Sequence, residues 1–353
     1  MLSGLWSTQL NAYFSSVLNA AFFLVMPFSM LILPLYKPLF VKRLVIGICI
    51  IMISGILWSL TDYILDLSYY GLWDRHIPTA PALSKDHIRY SIGIAFAMMT
   101  YIFILKRNQE YDLNVLEKII LYCGIGLTAL YINLQIGKIG LIAFYSLLLM
   151  LLLYIIFTHR NTMVKLLLLV ASVTILAIGI STDRFATAWH TFEQELEVFS
   201  NNDTDAYENT NSFAPRLISY DVALQLLKDN YLIGVGVGDV KKDMIVGYEH
   251  EYGSIKKDNR LVPHNQYLYT FLALGFPLGS LLIGMLIAGF KSRTDPRVKI
   301  YVVSISVVTI VICLIEAILV VQMTIYAYLF FLLFFRNIKS LPALEATDEK
   351  ILS

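Results

Sequence analysis

Arg216 and Lys138 could together meet a leaving anion while His264 handles a hydroxyl proton, with Asp239 and Glu316 as further ionisable candidates. A guanidinium offers a rigid fork of donors to carboxylate or phosphate oxygens, and a lysine ammonium offers them a point charge. An imidazole titrates near neutral pH, so it can accept a proton from a hydroxyl or orient one. Between Arg216 and His264 lies Gly234-Val235-Gly236-Val237-Gly238-Asp239, and His264 itself falls in the run Pro263-His264-Asn265-Gln266-Tyr267-Leu268. Closely spaced glycines let backbone N–H groups approach phosphate. Their spacing matches neither a dinucleotide fingerprint nor a Walker loop, and no strand-helix-strand context follows. Two readings of the glycines stay open. One is a loop whose backbone hugs a lipid-borne diphosphate, with Gly236, Gly238 and Asp239 in it; the other is a turn that needs positive φ or close packing. Each side chain also has a plain alternative: Arg216 as a solvated arginine, His264 as a hydrogen-bonding residue at a membrane boundary, Lys138 and Glu316 as snorkelling or solvated charges at helix ends.

The elements that must position these residues are membrane helices. Of the 353 residues, 58% are hydrophobic and 15% charged, against about 25% charged in a soluble domain. A helix that crosses about 30 Å of hydrocarbon needs about 20 apolar residues. The sequence predicts about nine spans, near 17–36, 41–61, 88–106, 116–134, 139–157, 163–181, 265–290, 298–315 and 319–336, with Glu316 near the tip of the last hairpin. The fold class is all-α: a polytopic helical membrane protein with a large external helical loop. Lys and Arg cluster at 37–43, 106–118, 160–165, 291–299 and 336–339, all on one side of this arrangement, which the basic bias of short loops makes cytoplasmic. The expected division is an N-terminal transmembrane bundle of about six spans at 1–181, an external loop at 182–264, C-terminal spans at 265–336 and a cytoplasmic tail at 337–353. Lys138, Arg216, Asp239, His264 and Glu316 then share the external membrane surface, and this common side raises each above its plain alternative.

Within the external loop, Phe185, Trp189, Phe192, Leu196 and Phe199 recur at alternating four- and three-residue steps, with Glu193, Glu195 and Glu197 between them. That pattern predicts an amphipathic helix lying at the interface. Ser212 can cap a second helix with Pro215 in its first turn, running to Asn230. Arg216 then sits on an opening turn, where a cation opposes the helix dipole by about 0.3–1 kcal/mol, so local stability does not explain it.

Several classes fall away. A net charge of +1 indicates no nucleic-acid partner. Cys49, Cys123 and Cys313 lie far apart in apolar segments without metal-ligand spacing and read as packing residues. The first apolar segment lacks a basic flank and runs the length of a span, so insertion is expected through the spans rather than a cleaved signal peptide. An external N-terminus with no charge before Lys37 raises the expectation of a further N-terminal hairpin or helix. A transporter would place ionisable groups at mid-membrane depth, whereas the charges of interest here lie at outer helix ends.

Arg216 leading a helix, then Gly234 to Asp239, then His264-Asn265-Gln266-Tyr267-Leu268 opening a span that holds Gly275 and Gly279, form an ordered set over roughly 128–335. That set resembles the O-antigen ligase and O-antigen polymerase superfamily. The resemblance implies a glycosyltransferase C-like membrane enzyme in the bacterial inner (cytoplasmic) membrane, with its active site facing the periplasm. It implies an undecaprenyl diphosphate-linked glycan as donor, a lipid A core sugar or a growing glycan as acceptor, and membrane lipids as surroundings. Metal and cofactor are not expected, and transfer is expected to invert the anomeric carbon. By the same resemblance His264 matches a histidine that activates or positions the acceptor hydroxyl, and Arg216 an arginine that faces the donor diphosphate. Gly236, Gly238, Asp239 and Asn265 belong to the matching substrate-binding set. Glu316 matches an acid near the last outer turn that could brace a cationic ligand residue. Lys138 stands in Ile136-Gly137-Lys138-Ile139-Gly140, where the family usually has an arginine; the charge is kept and the bidentate fork is lost. A ligase is expected first, with a polymerase using the same donor as the alternative and a non-catalytic lipid-glycan transporter behind both.

Overall fold

The computed structural model describes residues 2–65, 87–135, 138–158, 161–163, 165–166, 183–201, 213–256, 259–288, 290 and 295–338. Among these residues every regular element is helical, as expected. The α-helices are α1 (Leu10–Ile32), α2 (Pro38–Leu65), α3 (His87–Lys106), α4 (Val115–Gln135), α5 (Lys138–Thr158), α6 (Asp183–Ser200), α7 (Ala214–Asn230), α8 (Val240–Glu251), α9 (Gln266–Ala288), α10 (Pro296–Ile315) and α11 (Gln322–Asn337), with 3-10 turns at Leu2–Leu5 and Ile318–Val320. Seven of them, α1 to α5 with α9 and α10, are long and apolar enough to cross a membrane. The span expected at 163–181 lies almost wholly outside the described residues. α11 has 16 residues and follows a 3-10 turn, so the last segment begins later than its hydropathy suggests. α1 starts at Leu10 rather than near residue 17, because its polar first turns are held by a capping contact from far along the chain.

The helices gather into two compact units. One comprises residues 22–148, 289–309 and 321–353. Its centre is α3, whose residues from Ile92 to Tyr101 are buried on all sides, the mark of a helix surrounded by others. α2, α4 and α11 pack on it, and Phe103 meets Tyr301 and Phe335 edge-on. Lys42 Nζ lies 3.1 Å from Glu117, placing the first turns of α2 and α4 at one end, as alternating spans require. Asn114 and Glu117 close a reciprocal capping box on α4, which satisfies two otherwise orphaned amides. Cys49 packs beneath Gly124 and Cys313 is buried, but Cys123 is exposed. For Cys123 the packing reading is corrected, since its side chain points away from the core.

The other unit comprises residues 1–21, 149–288 and 310–320. Here α7 packs against α6, α8 and α9, around Ile218, Val222, Val240, Met244, Tyr248 and Leu272. α6 is helical where its aromatic spacing predicts, with Trp189 and Leu196 exposed. Glu195 departs from the polar face expected of it: it is 4% exposed, and its carboxylate accepts the amides of Phe213 and Ala214. The N-terminus of α7 is thus capped by a distant acid, while Ser212 lies outside the described residues. A carboxylate at that end also offsets the unfavourable placement of Arg216 on the first turn.

Candidate active site

α9 opens with four residues that all reach toward the α10 end and the following turn. His264 Nδ1 lies 2.8 Å from Glu316 Oε2, and Asn265 Nδ2 donates to Leu314 O at 3.1 Å. Gln266 Oε1 accepts the amide of Leu319 at 2.7 Å, and Tyr267 OH donates to Ile310 O at 3.1 Å. Where a helix ends and a turn begins, carbonyls and amides lose their helical partners, and Asn265 and Gln266 replace them at Leu314 and Leu319. The run His264-Asn265-Gln266-Tyr267 is a clasp on the turn that carries Glu316.

Glu316 is the centre of the cluster. The same oxygen that meets His264 lies 3.8 Å from Arg216 Nη2, and all three side chains are partly exposed. A carboxylate only accepts hydrogen bonds, so Nδ1 of His264 is the donor in this pair, and Nε2 is the nitrogen left to face a ligand. Tyr220, one turn beyond Arg216 on α7, donates to His264 O at 3.1 Å, tying the arginine's helix to the histidine's backbone. An ion pair at this exposure is worth about 0–1 kcal/mol. That is too little to account for three converging ionisable groups by stability, and it suits a site that must meet a charged ligand.

The structure brings Arg216, His264 and Glu316 together and engages Asn265, Asp239, Gly236 and Gly238 elsewhere. Asn265 Oδ1 accepts the amide of Leu268 at 3.0 Å, so its side chain caps α9 while bracing Leu314. Asp239 is 3% exposed, and its carboxylate accepts the Thr8 hydroxyl at 2.6 Å, the Gln9 amide at 3.1 Å and the Thr8 amide. It caps α1 from 230 residues away. Burial alone would raise its carboxyl, but the bonds from Thr8 and Gln9, with Lys242 nearby, hold it below the ordinary carboxylate range. Gly236 and Gly238 face the same N-terminal segment: an added Cβ would meet Ser7 Oγ at one and Gln9 O at the other, each at 2.6 Å. Lys138 opens α5, but its side chain lies outside the described ones.

The glycine loop also repairs α9. Gly275 has φ +72° and ψ +173°, and Pro277 follows, so the helical bonds from residues 276 and 277 to Leu272 and Ala273 are lost. Val235 N donates to Leu272 O at 2.8 Å and Gly236 N to Ala273 O at 3.1 Å, while the freed Phe276 N donates to Tyr231 O at 2.8 Å. The chains approach so closely that a Cβ on Gly234 would stand 2.6 Å from the backbone of Ala273, and one on Gly275 would stand 2.2 Å from Leu232 O. Positive φ and close packing therefore account for Gly234, and the loop's amides are engaged within the protein: Val235 and Gly236 donate to α9, Gly234 to Asn230 O and Gly238 to Ser7 Oγ.

Gln266, Tyr267, Tyr220 and Glu195 are supporting residues that sequence reasoning did not single out. The signal for the first two was present: consecutive polar groups at the head of an apolar helix must find partners once buried. Among the described residues, no group of His, Cys, Asp and Glu side chains is arranged to hold a metal ion.

A search of curated proteins returns no match to the chain. Residues 121–283 match the family described as O-Antigen ligase, a stretch that contains Lys138, Arg216, the glycine loop and His264 and ends before Glu316. Over that stretch, somewhat under half of its length, the chain is similar to the O-antigen ligase family.

Proposed function

We propose that, within the ligase or polymerase type of activity the family defines, this chain transfers a glycan from undecaprenyl diphosphate to a lipid A core sugar at the periplasmic face of the inner membrane. The observation that carries the reading is the Glu316 carboxylate shared between His264 and Arg216. In the proposed reaction the acceptor hydroxyl oxygen forms a bond to the anomeric carbon of the donor sugar, and the bond from that carbon to the diphosphate oxygen breaks. The hydroxyl proton passes to His264 Nε2, and the electron pair leaves with the diphosphate. Attack opposite the leaving group inverts the anomeric centre. Arg216 stabilises the charge gathering on the leaving group, and Lys138 is proposed to assist it. Diphosphate is a good leaving group, so electrostatic stabilisation contributes more than proton transfer. Glu316 fixes the tautomer of His264 and balances the imidazolium that forms.

The test is the lipopolysaccharide and lipid-carrier profile of a deletion strain complemented with wild type or His264→Ala. Long polymer left on the carrier above a bare core supports the ligase. Single repeat units capping the core would show a polymerase using the same donor. Full rescue by His264→Ala would remove the histidine from the mechanism.

A further inference from the structure

Tyr231, Leu232 and Ile233, just beyond α7, are 52%, 57% and 58% exposed, and they fall in the loop expected to lie outside the membrane. Their backbone is nevertheless joined to the interior of a spanning helix, through the bonds from Phe276 to Tyr231 and from Val235 and Gly236 to Leu272 and Ala273. α9 has 23 residues, and a crossing takes about 20. Every stretch of that length within α9 contains Leu272 to Phe276, so a loop bonded to those residues shares their depth. We propose that residues 231–236 form a re-entrant loop whose tip, Tyr231, Leu232 and Ile233, is immersed in the hydrocarbon of the outer leaflet.

The polar groups fit that placement. Irregular backbone is tolerated at membrane depth only where its amides and carbonyls are paired. Gly234 N donates to Asn230 O at 2.8 Å, and the three cross-bonds to α9 pair Tyr231 O, Val235 N and Gly236 N of the loop with groups freed by the broken helix. Phe276 and Leu281, 49% and 67% exposed on α9, add apolar surface on the helix that carries the loop. Lys228 before the loop and Lys241 after it are exposed; their stems can reach back to the headgroups, which keeps the insertion shallow. The occupant that covers this tip is therefore the bilayer's own acyl chains.

The experiment uses the full chain in liposomes, with Cys49, Cys123 and Cys313 replaced by alanine and a nitroxide attached at Leu232→Cys or Ile233→Cys. Leu281→Cys is the lipid-facing reference, and His250→Cys, 84% exposed at its side chain, is the aqueous one. Power saturation then compares collisions with oxygen, which concentrates in hydrocarbon, against a neutral nickel chelate, which stays in water. Oxygen collisions exceeding those of the chelate at both 232 and 233, as at 281, are the expected result. Chelate collisions equal to or above those of oxygen at either position, as at 250, would overturn the re-entrant loop. Neither measurement reads glycan transfer, so it stands or falls separately from the proposed reaction.

Discussion

Replacing Glu316 tests whether the carboxylate acts through His264. The bond it makes is short, 2.8 Å to Nδ1, and charged on one side. Hydrogen bonds to ionised groups contribute about 1.5–3 kcal/mol against about 1 kcal/mol for neutral pairs. Glu316→Gln keeps the shape and loses the charge, a difference of about 0.5–2 kcal/mol, or about 2- to 30-fold in kcat. Glu316→Ala loses the whole bond, about 10- to 160-fold, which falls at or below the low end of the about 10²–10⁴ supplied by a general base. The Arg216 pair adds little to the stability cost of either variant, since it is partly exposed and such pairs are worth about 0–1 kcal/mol. The assay is transfer by the purified protein in nanodiscs, with a lipid-linked donor and a core-sugar acceptor, read as kcat and donor KM. The decisive arm is the double variant. If the carboxylate acts through the imidazole, Glu316→Ala should cost little more once His264 is already alanine. The same fold-loss in both backgrounds would refute a positioning role for Glu316.

Arg216→Ala is expected to abolish transfer, and Arg216→Lys to retain a fraction of it with a raised donor KM, because a point charge replaces the fork; wild-type kinetics in both would take Arg216 out of the donor site. Lys138→Arg should be tolerated better than Lys138→Ala in the same assay, and full activity of both would end its assignment to the donor. Asp239→Asn should lower thermal stability by about 1–3 kcal/mol while leaving donor KM unchanged, as befits a helix cap. The folded carboxyl is held below its ordinary value of 3.8. Its contribution is therefore complete above that pH and is lost as pH falls through the lower folded value, so the stability gap between wild type and Asp239→Asn should close only in that acid range. Gly275→Ala would place a Cβ 2.2 Å from Leu232 O at positive φ and should abolish the folded peak in fluorescence-detected size exclusion, whereas Gly284→Ala, whose Cβ would meet nothing within 4 Å, should leave it unchanged.

The division of labour among these residues shows which physical signals a sequence carries. Length and apolarity made the spans legible, because a membrane imposes a fixed crossing distance on every helix. The convergence of Arg216, His264 and Glu316 was legible in part: ionisable groups beside the spans are few, and the expected topology put all three on one face. What one-dimensional reading could not resolve was which polar groups are consumed by structure. Asp239, Gly236 and Asn265 have the right types for a diphosphate site, yet Asp239 caps α1, Gly236 donates to a carbonyl of broken α9, and Asn265 caps that same helix. The engagement of Asp239 joins residues distant in sequence and that of Gly236 depends on a helix break at Gly275, and neither leaves a local pattern, whereas the cap from Asn265 to Leu268 is local. Glu195 makes the same point in reverse: its spacing puts it on a solvated face, and the fold turns it inward to cap α7. The glycines illustrate the general consequence. A Gly-rich loop frees its amides for whatever approaches most closely, and in this chain α9 reaches Val235 and Gly236 first. In the proposed reaction the charge on the leaving diphosphate would then be met by side chains, which places the demand for donor recognition on Arg216 rather than on the backbone.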